Sequence, residues 1–368
     1  MAEAWIGIVD RAVELAEKRL LDLTKVKYLV ARMLESRGRI QYGVDGSYEK
    51  KYPVDWREQE PSEFGYGSET TYTPFTSIQK ATQTWRGMQE SDAMHRVEKE
   101  MMKGSAGELV DRYARILPKL IKSMRDNVWK SFVVNGSTSG NENMFNGIET
   151  VFGTAANASA ANIIATPNTT YHGISTALAQ GGSWSSDLTT SPNATLGTDY
   201  PEGTGNRDYH FWSPLYPNWS SSAWGTSQTG WSDNGPRCVS RTAMWLRHTH
   251  AAEGQLVCLM ASNLMSEWNQ YWEAKSRTLP PHAEGERYGF HDTFNYEGVL
   301  IHTGYGIPAD TAYMFDVDAV KLLMLSKKLV MPEPIRYDED THMYKWMAWN
   351  LGDYRFVPKF CAKIYNYA

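Results

Sequence analysis

The sequence has no cysteine pair at C-x-x-C spacing. Its three cysteines, Cys238, Cys258 and Cys361, are far apart. That pattern excludes a disulfide framework and a cysteine-based zinc site, and it fits free thiols in a reducing compartment. No stretch approaches the roughly 20 consecutive apolar residues that span a bilayer, so no membrane partner is expected. The opening "MAEAWIGIVDRAVELAEK" lacks the basic region, apolar run and small-residue cleavage site of a signal peptide. The expectation is a soluble chain made in a cytoplasm. There is no excess of positive charge either. The formal charge is −5, which argues against non-specific nucleic-acid binding by the chain as a whole.

The common catalytic signatures are missing as well. The chain has no G-x-x-x-x-G-K-[ST] loop, no G-x-G-x-x-G after a strand, no H-E-x-x-H and no G-x-S-x-G elbow. "RHTH" sets His248 and His250 two apart, which suits a strand but not the helix expected there. "HAE" (His282, Glu284) imitates the H-x-E of zinc deaminases without the P-C-x-x-C that completes such a site. Glu333 and the "YDED" of Tyr337 to Asp340 read as a charged turn, because nothing apolar nearby would raise a carboxyl pKa for acid catalysis. No catalytic, cofactor-binding or metal-ligating residue is assigned, no cofactor is expected, and no enzymatic activity is expected.

What the chain does have is tryptophan and tyrosine: 14 Trp and 21 Tyr against 11 Phe. These residues combine an apolar body with a polar tip, so they suit a generous core or surfaces that meet other surfaces. Residues 5–36 read as a helix with a broad apolar face from Trp5 to Met33. From Asp10 to Arg39, eight basic residues face five acidic ones, a modest excess that most simply makes a solvated face. Residues 48–89 change character, with Tyr, Thr and Trp in quantity but only Val54 and Ile78 as branched aliphatics. This predicts a long two-stranded hairpin turning at Gly65-Tyr66-Gly67. It is too poor in apolar surface to stand alone, so it packs either on its own domain or on a neighbouring subunit.

A first helical segment is expected over Asp92–Lys103. Then Leu109, Tyr113, Ile116, Leu117, Leu120, Met124, Val128 and Phe132 mark a long amphipathic helix over Glu108–Val134, about 40 Å at about 1.5 Å per residue. Pro118 predicts a kink or break within it. "FVVNGSTSGNENMFNGIETVFG" follows, where Gly136 stops the helix and Asn146-Gly147 turns into a short apolar strand, "IETVFG". Residues 154–236 are irregular, with Trp184, Trp212, Trp219, Trp224 and Trp231 and no lysine between Trp184 and Pro236. Regularity then returns: a helix over Pro236–Ala252, a buried strand "QLVCLMA", a helix over Asn263–Lys275, strands in "VLIHTGYGIP" and "TAYMFDV", and a tail that reads as several strands of one closing sheet.

This order of elements resembles the major capsid proteins of tailed bacteriophages, the Hong Kong 97-type fold. The resemblance is carried by "VVNGSTSGNENMFNGIETVF" after a long helix, "GQLVCLMASNLMSEWNQYWEAK" and "FNYEGVLIHTGYGIPADTAYMFDVDAVKLLML". It implies an α+β chain with an N-terminal arm (1–47), an extended hairpin or E-loop (48–90) and a peripheral domain with its spine helix (91–153). A Trp/Gly/Ser-rich excursion (154–234), an axial domain (235–328) and closing peripheral strands (329–368) would complete it. It also implies self-assembly into hexamers and pentamers of a virion shell built in a bacterial cytoplasm. The further implied partners are a separate scaffolding protein, a portal, decoration proteins, and packaged DNA held non-specifically on the inner face. The rival readings are an encapsulin-like nanocompartment with the same fold, and a carbohydrate-binding protein or glycosidase using the Trp-rich segment.

Overall fold

The computed structural model describes residues 28–44, 49–55, 78–98, 106–152, 170–176, 212, 214–220, 224–225, 230–249, 252–275 and 293–366. In chain order these form α1 (Leu29–Ser36), β1 (Ile40–Gln41), β2 (Glu49–Asp55), β3 (Ile78–Thr84), β4 (Arg86–His95), α2 (Ala106–Lys130) and α3 (Ile148–Phe152). There follow β5 (Thr170–Tyr171), β6 (Ile174–Ser175), α4 (Trp231–Met244), β7 (Leu256–Met260), α5 (Ser262–Lys275), β8 (Phe294–Tyr296), β9 (Val299–Thr303) and β10 (Thr311–Asp316). The chain closes with β11 (Lys321–Met324), β12 (Met331–Pro332), β13 (Arg336–Asp338), β14 (Met343–Arg355) and β15 (Cys361–Tyr365). None of the described helices is long and apolar enough to cross a membrane.

Two sheets organise the molecule. The first is five-stranded, in the order β15-β10-β7-β9-β8, with β7 and β9 parallel. Its inner strands read as continuous apolar runs because both faces are covered. Alternate residues divide cleanly between two cores. Val257, Leu259, Leu300, Tyr313, Phe315 and Cys361 point into one. Leu256, Cys258, Met260, Val299, Ile301, Met314 and Ile364 point into the other, beneath α4 and α5. The second sheet is built around the 13-residue β14. Along one side β14 carries β4 over its whole length, and along the other it carries β13, β12 and β11 in turn. The helix α2 lies across this sheet, with Leu120 against Trp346 and Met94.

Several expectations change on contact with this frame. Residues 92–95 continue β4 where a helix was expected, because pairing with β14 and burial of Met94 outweigh the local helical pattern; residues 96–98 are helical. The long helix ends at Lys130 and adds one 3₁₀ turn over Ser131–Val133, and it runs through Pro118 without interruption. "IETVF" is helix α3, not a strand; Ile148, Val151 and Phe152 are buried together on one side while Glu149 pairs with Lys363. α4 begins at Trp231, earlier than Pro236, and passes into a π-helical turn at Trp245–Thr249. The tail serves two sheets: β12 to β14 lie in one, and β15 joins the other beside β10. Residues 5–27 of the expected N-terminal helix and the Gly65-Tyr66-Gly67 turn lie outside the described residues.

Candidate assembly interface

The stretch from Phe132 to Phe152 is a corner held from both sides. Gly147 sits so close to the end of the long helix that a Cβ there would lie 2.2 Å from the carbonyl oxygen of Ser131, 2.5 Å from that of Phe132 and 2.6 Å from that of Val134. Only glycine fits such an approach. Gly136 is hemmed by side-chain ends instead, with Arg86 Nη1 at 2.3 Å and Asn146 Oδ1 at 2.6 Å from the position of its missing Cβ. The Arg86 guanidinium donates to the carbonyls of Gly136 (2.8 Å) and Met144 (2.7 Å), pinning the loop to the start of β4. From the other side Asp353 on β14 accepts Asn146 N–H at 2.7 Å and Asn146 Nδ2 at 2.6 Å. The Gly/Asn turn is thus architectural: its polar groups satisfy one another and the sheet.

The hairpin β2–β3 rises next to this corner, with seven residue pairs from Glu49↔Thr84 to Asp55↔Ile78. Its base is packed on its own chain, where Tyr52, Ala81 and Gln83 are buried. Further out burial fades: Pro53, Asp55, Gln79 and Lys80 are exposed, and Ile78 is 56% exposed. Tyr52 anchors the base. Its ring is covered by the Arg355 guanidinium at 4.1 Å, and its hydroxyl lies 2.8 Å from His172 Nδ1. His172 occupies the β5–β6 turn at φ 52°, stacked on Tyr171 with ring centroids 4.0 Å apart. Its Nε2 lies 4.0 Å from Asp353 Oδ2. Burial lowers the His172 pKa to about 3 and raises that of Asp353 to about 7, although the Asn146 N–H groups oppose the latter shift. This Asp–His–hydroxyl line imitates a nucleophile relay. The hydroxyl lies beneath its own covered ring, however, so it is placed to hold structure and not to meet a substrate.

Two further surfaces complete the picture. The segment before the hairpin docks through α1, whose Leu29, Val30, Met33 and Leu34 are buried, and through β1 in parallel register with β11. Arg37 and Arg39 clamp Asp318 at 2.6 and 2.8 Å, which holds its carboxyl below the ordinary range despite partial burial. On the sheet face away from α2, Met347, Trp349 and Leu351 are half-buried opposite exposed Ser91, Gln89 and Gly87 of β4. A trough of about 660 Å³ opens at one end of this face, lined by Ser91, Ala93, Pro334, Lys345 and Met347 among others. Among the described residues β4 pairs on one side only.

The candidate residues of the sequence do not converge. Among the described residues no group of three or more His, Cys, Asp or Glu is placed to hold a metal. The side chain of His248, all of His250, and His282 and Glu284 lie outside the described residues. Asp338 is paired with Lys345 and hydrogen-bonded to Thr341, which holds its pKa near 2, as befits a charged turn. Trp212, Trp219, Trp224 and Trp231 are buried, so none of these four offers an open face to a sugar ring. The last three join the core beneath the five-stranded sheet, and Leu215 and Asn218 bridge to β15.

No protein-family model and no curated protein matches the sequence. Solved structures do match. The capsid asymmetric unit of cyanophage A-1(L) superposes with a TM-score of 0.51 at 12% identity, covering 94% of this chain and 91% of that one. The capsid of a native GTA particle gives 0.51 at 10% identity, covering 91% of each. The chain therefore has a capsid-protein fold. More particularly, it is the α+β capsid fold shared by those two shells, traced from near one end of the chain to the other.

Proposed function

We propose that this chain is the major capsid protein of a tailed phage, a Hong Kong 97-type subunit that assembles into hexamers and pentamers around packaged double-stranded DNA. The observation that carries the reading is the hairpin: on a capsid-protein fold, its base is buried in its own chain while its outer residues, Ile78 foremost, are exposed. A ribbon of this kind gains its missing apolar cover from a neighbour. The half-buried Met347, Trp349 and Leu351 offer a receiving surface, and burial at about 25 cal/mol per Å² adds up over the many copies of a closed shell. The mechanism is mechanical: corner, arm and sheet make a stiff plate, and the hairpin ties plates together. The further partners of this reading are a separate scaffolding protein, a portal, decoration proteins and DNA on the inner face.

The test is Ile78→Asp. The side chain is 56% exposed, so the variant keeps the wild-type unfolding midpoint within about 1 °C. Yet it yields at least tenfold fewer shells by sedimentation and electron microscopy. Shell yield equal to wild type contradicts this role for the hairpin.

A further inference from the structure

Tyr52, His172, Asp353 and Asn146 belong to four segments far apart in sequence, yet one line of polar atoms joins them. Asp353 Oδ1 already receives two donors, Asn146 N–H at 2.7 Å and its neighbour Tyr354 N–H at 2.9 Å, and Oδ2 receives Asn146 Nδ2 at 2.6 Å. The remaining capacity of Oδ2 faces His172 Nε2 across 4.0 Å, longer than a hydrogen bond, and among the described residues Nε2 has no hydrogen-bond partner. The imidazole's other nitrogen meets the Tyr52 hydroxyl. Charged and titratable groups facing this line are Arg86 from β4, Arg355 from β14, and the phenols of Tyr52, Tyr171 and Tyr354.

Two proton arrangements satisfy the line. In the first, Tyr52 O–H donates to Nδ1, and Nε2–H points at an ionised Asp353. Adding one proton gives the second: the imidazole closes the 4.0 Å gap to Asp353, the Nε2 proton passes to Oδ2, the incoming proton ends on Nδ1, and Nδ1–H now donates to the Tyr52 oxygen. The net charge of the line goes from −1 to zero. A further proton would leave a buried cation between Arg86 and Arg355, which is strongly disfavoured. We propose that Tyr52, His172 and Asp353 form a buried relay that takes up one proton as a unit, and that the uptake reverses the Tyr52–His172 hydrogen bond, which fastens the hairpin to the body beside the Thr82 N–H bond to the His172 carbonyl. The relay lies within one chain, so it stands whether or not the chain builds a shell.

The linkage has a definite sign. A buried histidine with a lowered pKa binds fewer protons folded than unfolded, so alone it makes stability fall as pH drops below about 6.5. A buried aspartic acid with a raised pKa binds more protons folded, so alone it makes stability fall as pH rises from about 4 toward 7. Together the two hold one proton in both states between about pH 4 and 6.5, and the slopes cancel.

Hydrogen exchange of the β2–β3 amides, corrected for intrinsic rates, tests this on the full chain. The wild type shows opening that is flat over that pH range. In His172→Gln, opening increases with rising pH, approaching tenfold per unit. In Asp353→Asn it increases with falling pH by the same limit. Wild-type slopes near tenfold per unit, or two flat single variants, overturn the proposal. If a variant fails to fold, nitrogen-15 shifts of the His172 ring in the wild type decide. They move from the Nε2–H to the Nδ1–H tautomer as pH falls through neutrality, and full imidazolium between pH 4 and 6.5 overturns the relay.

Discussion

Gly147→Ala isolates the corner's close packing. The added methyl would meet three backbone carbonyl oxygens at 2.2, 2.5 and 2.6 Å, well inside the roughly 3 Å that a real Cβ tolerates. None of these atoms is the far end of a flexible side chain. All three belong to the 3₁₀ turn that ends the long helix and to the residue after it. Relief therefore requires the corner to part from α2, and the cost is about 3–5 kcal/mol, at the upper end of overpacking. With about 2.1 cal/mol/K per residue over 368 residues, the unfolding entropy is roughly 0.8 kcal/mol/K, so the midpoint falls by about 5 °C. Gly140→Ala is the control. Gly140 has φ +91° and open space where a Cβ would stand, so its cost is the backbone strain alone, about 1–2 kcal/mol. Thermal unfolding by circular dichroism separates the two. A Gly147→Ala midpoint equal to wild type, or above that of Gly140→Ala, would refute the packing argument.

Two other substitutions probe the same frame. Arg86→Met removes the donors of the Gly136 and Met144 carbonyls and lowers stability by about 2–3 kcal/mol in urea unfolding, with Arg86→Lys recovering only part of it; an unchanged midpoint would show that the loop holds itself. Pro118→Ala restores a helical N–H donor inside α2 and raises stability by about 1–3 kcal/mol in the same assay, whereas a loss would mean that the ring's packing outweighs the missing bond.

The elements that were legible in the sequence are those whose environment is uniform along their length. "LVCLM" and "TAYMFD" announce strands buried on both faces, and the three-to-four spacing from Ile116 to Phe132 announces a helix with one covered side. What failed were short segments decided by distant partners. "IETVF" is β-branched and reads as a strand, yet Gly147's approach and the Glu149–Lys363 pair turn it into a helix. Asp92 to His95 read as helix until β14, more than two hundred residues later, claims them. Trp219, Trp224 and Trp231 find their cover in α4 and the five-stranded sheet, which local pattern cannot show. The relay was missed for the same reason. Its only local signals are a His-Gly pair suited to positive φ at His172 and a buried Asp353 near the end of a strand.

In the proposed role this chain builds a closed shell from copies of itself. Size-exclusion chromatography followed by negative-stain electron microscopy of the expressed chain, alone and with its genomic neighbours, tests it most directly. The expected products are shells, five- or six-membered rings, or tubes with the same lattice. A persistent monomer near 41.7 kDa under both conditions would contradict it.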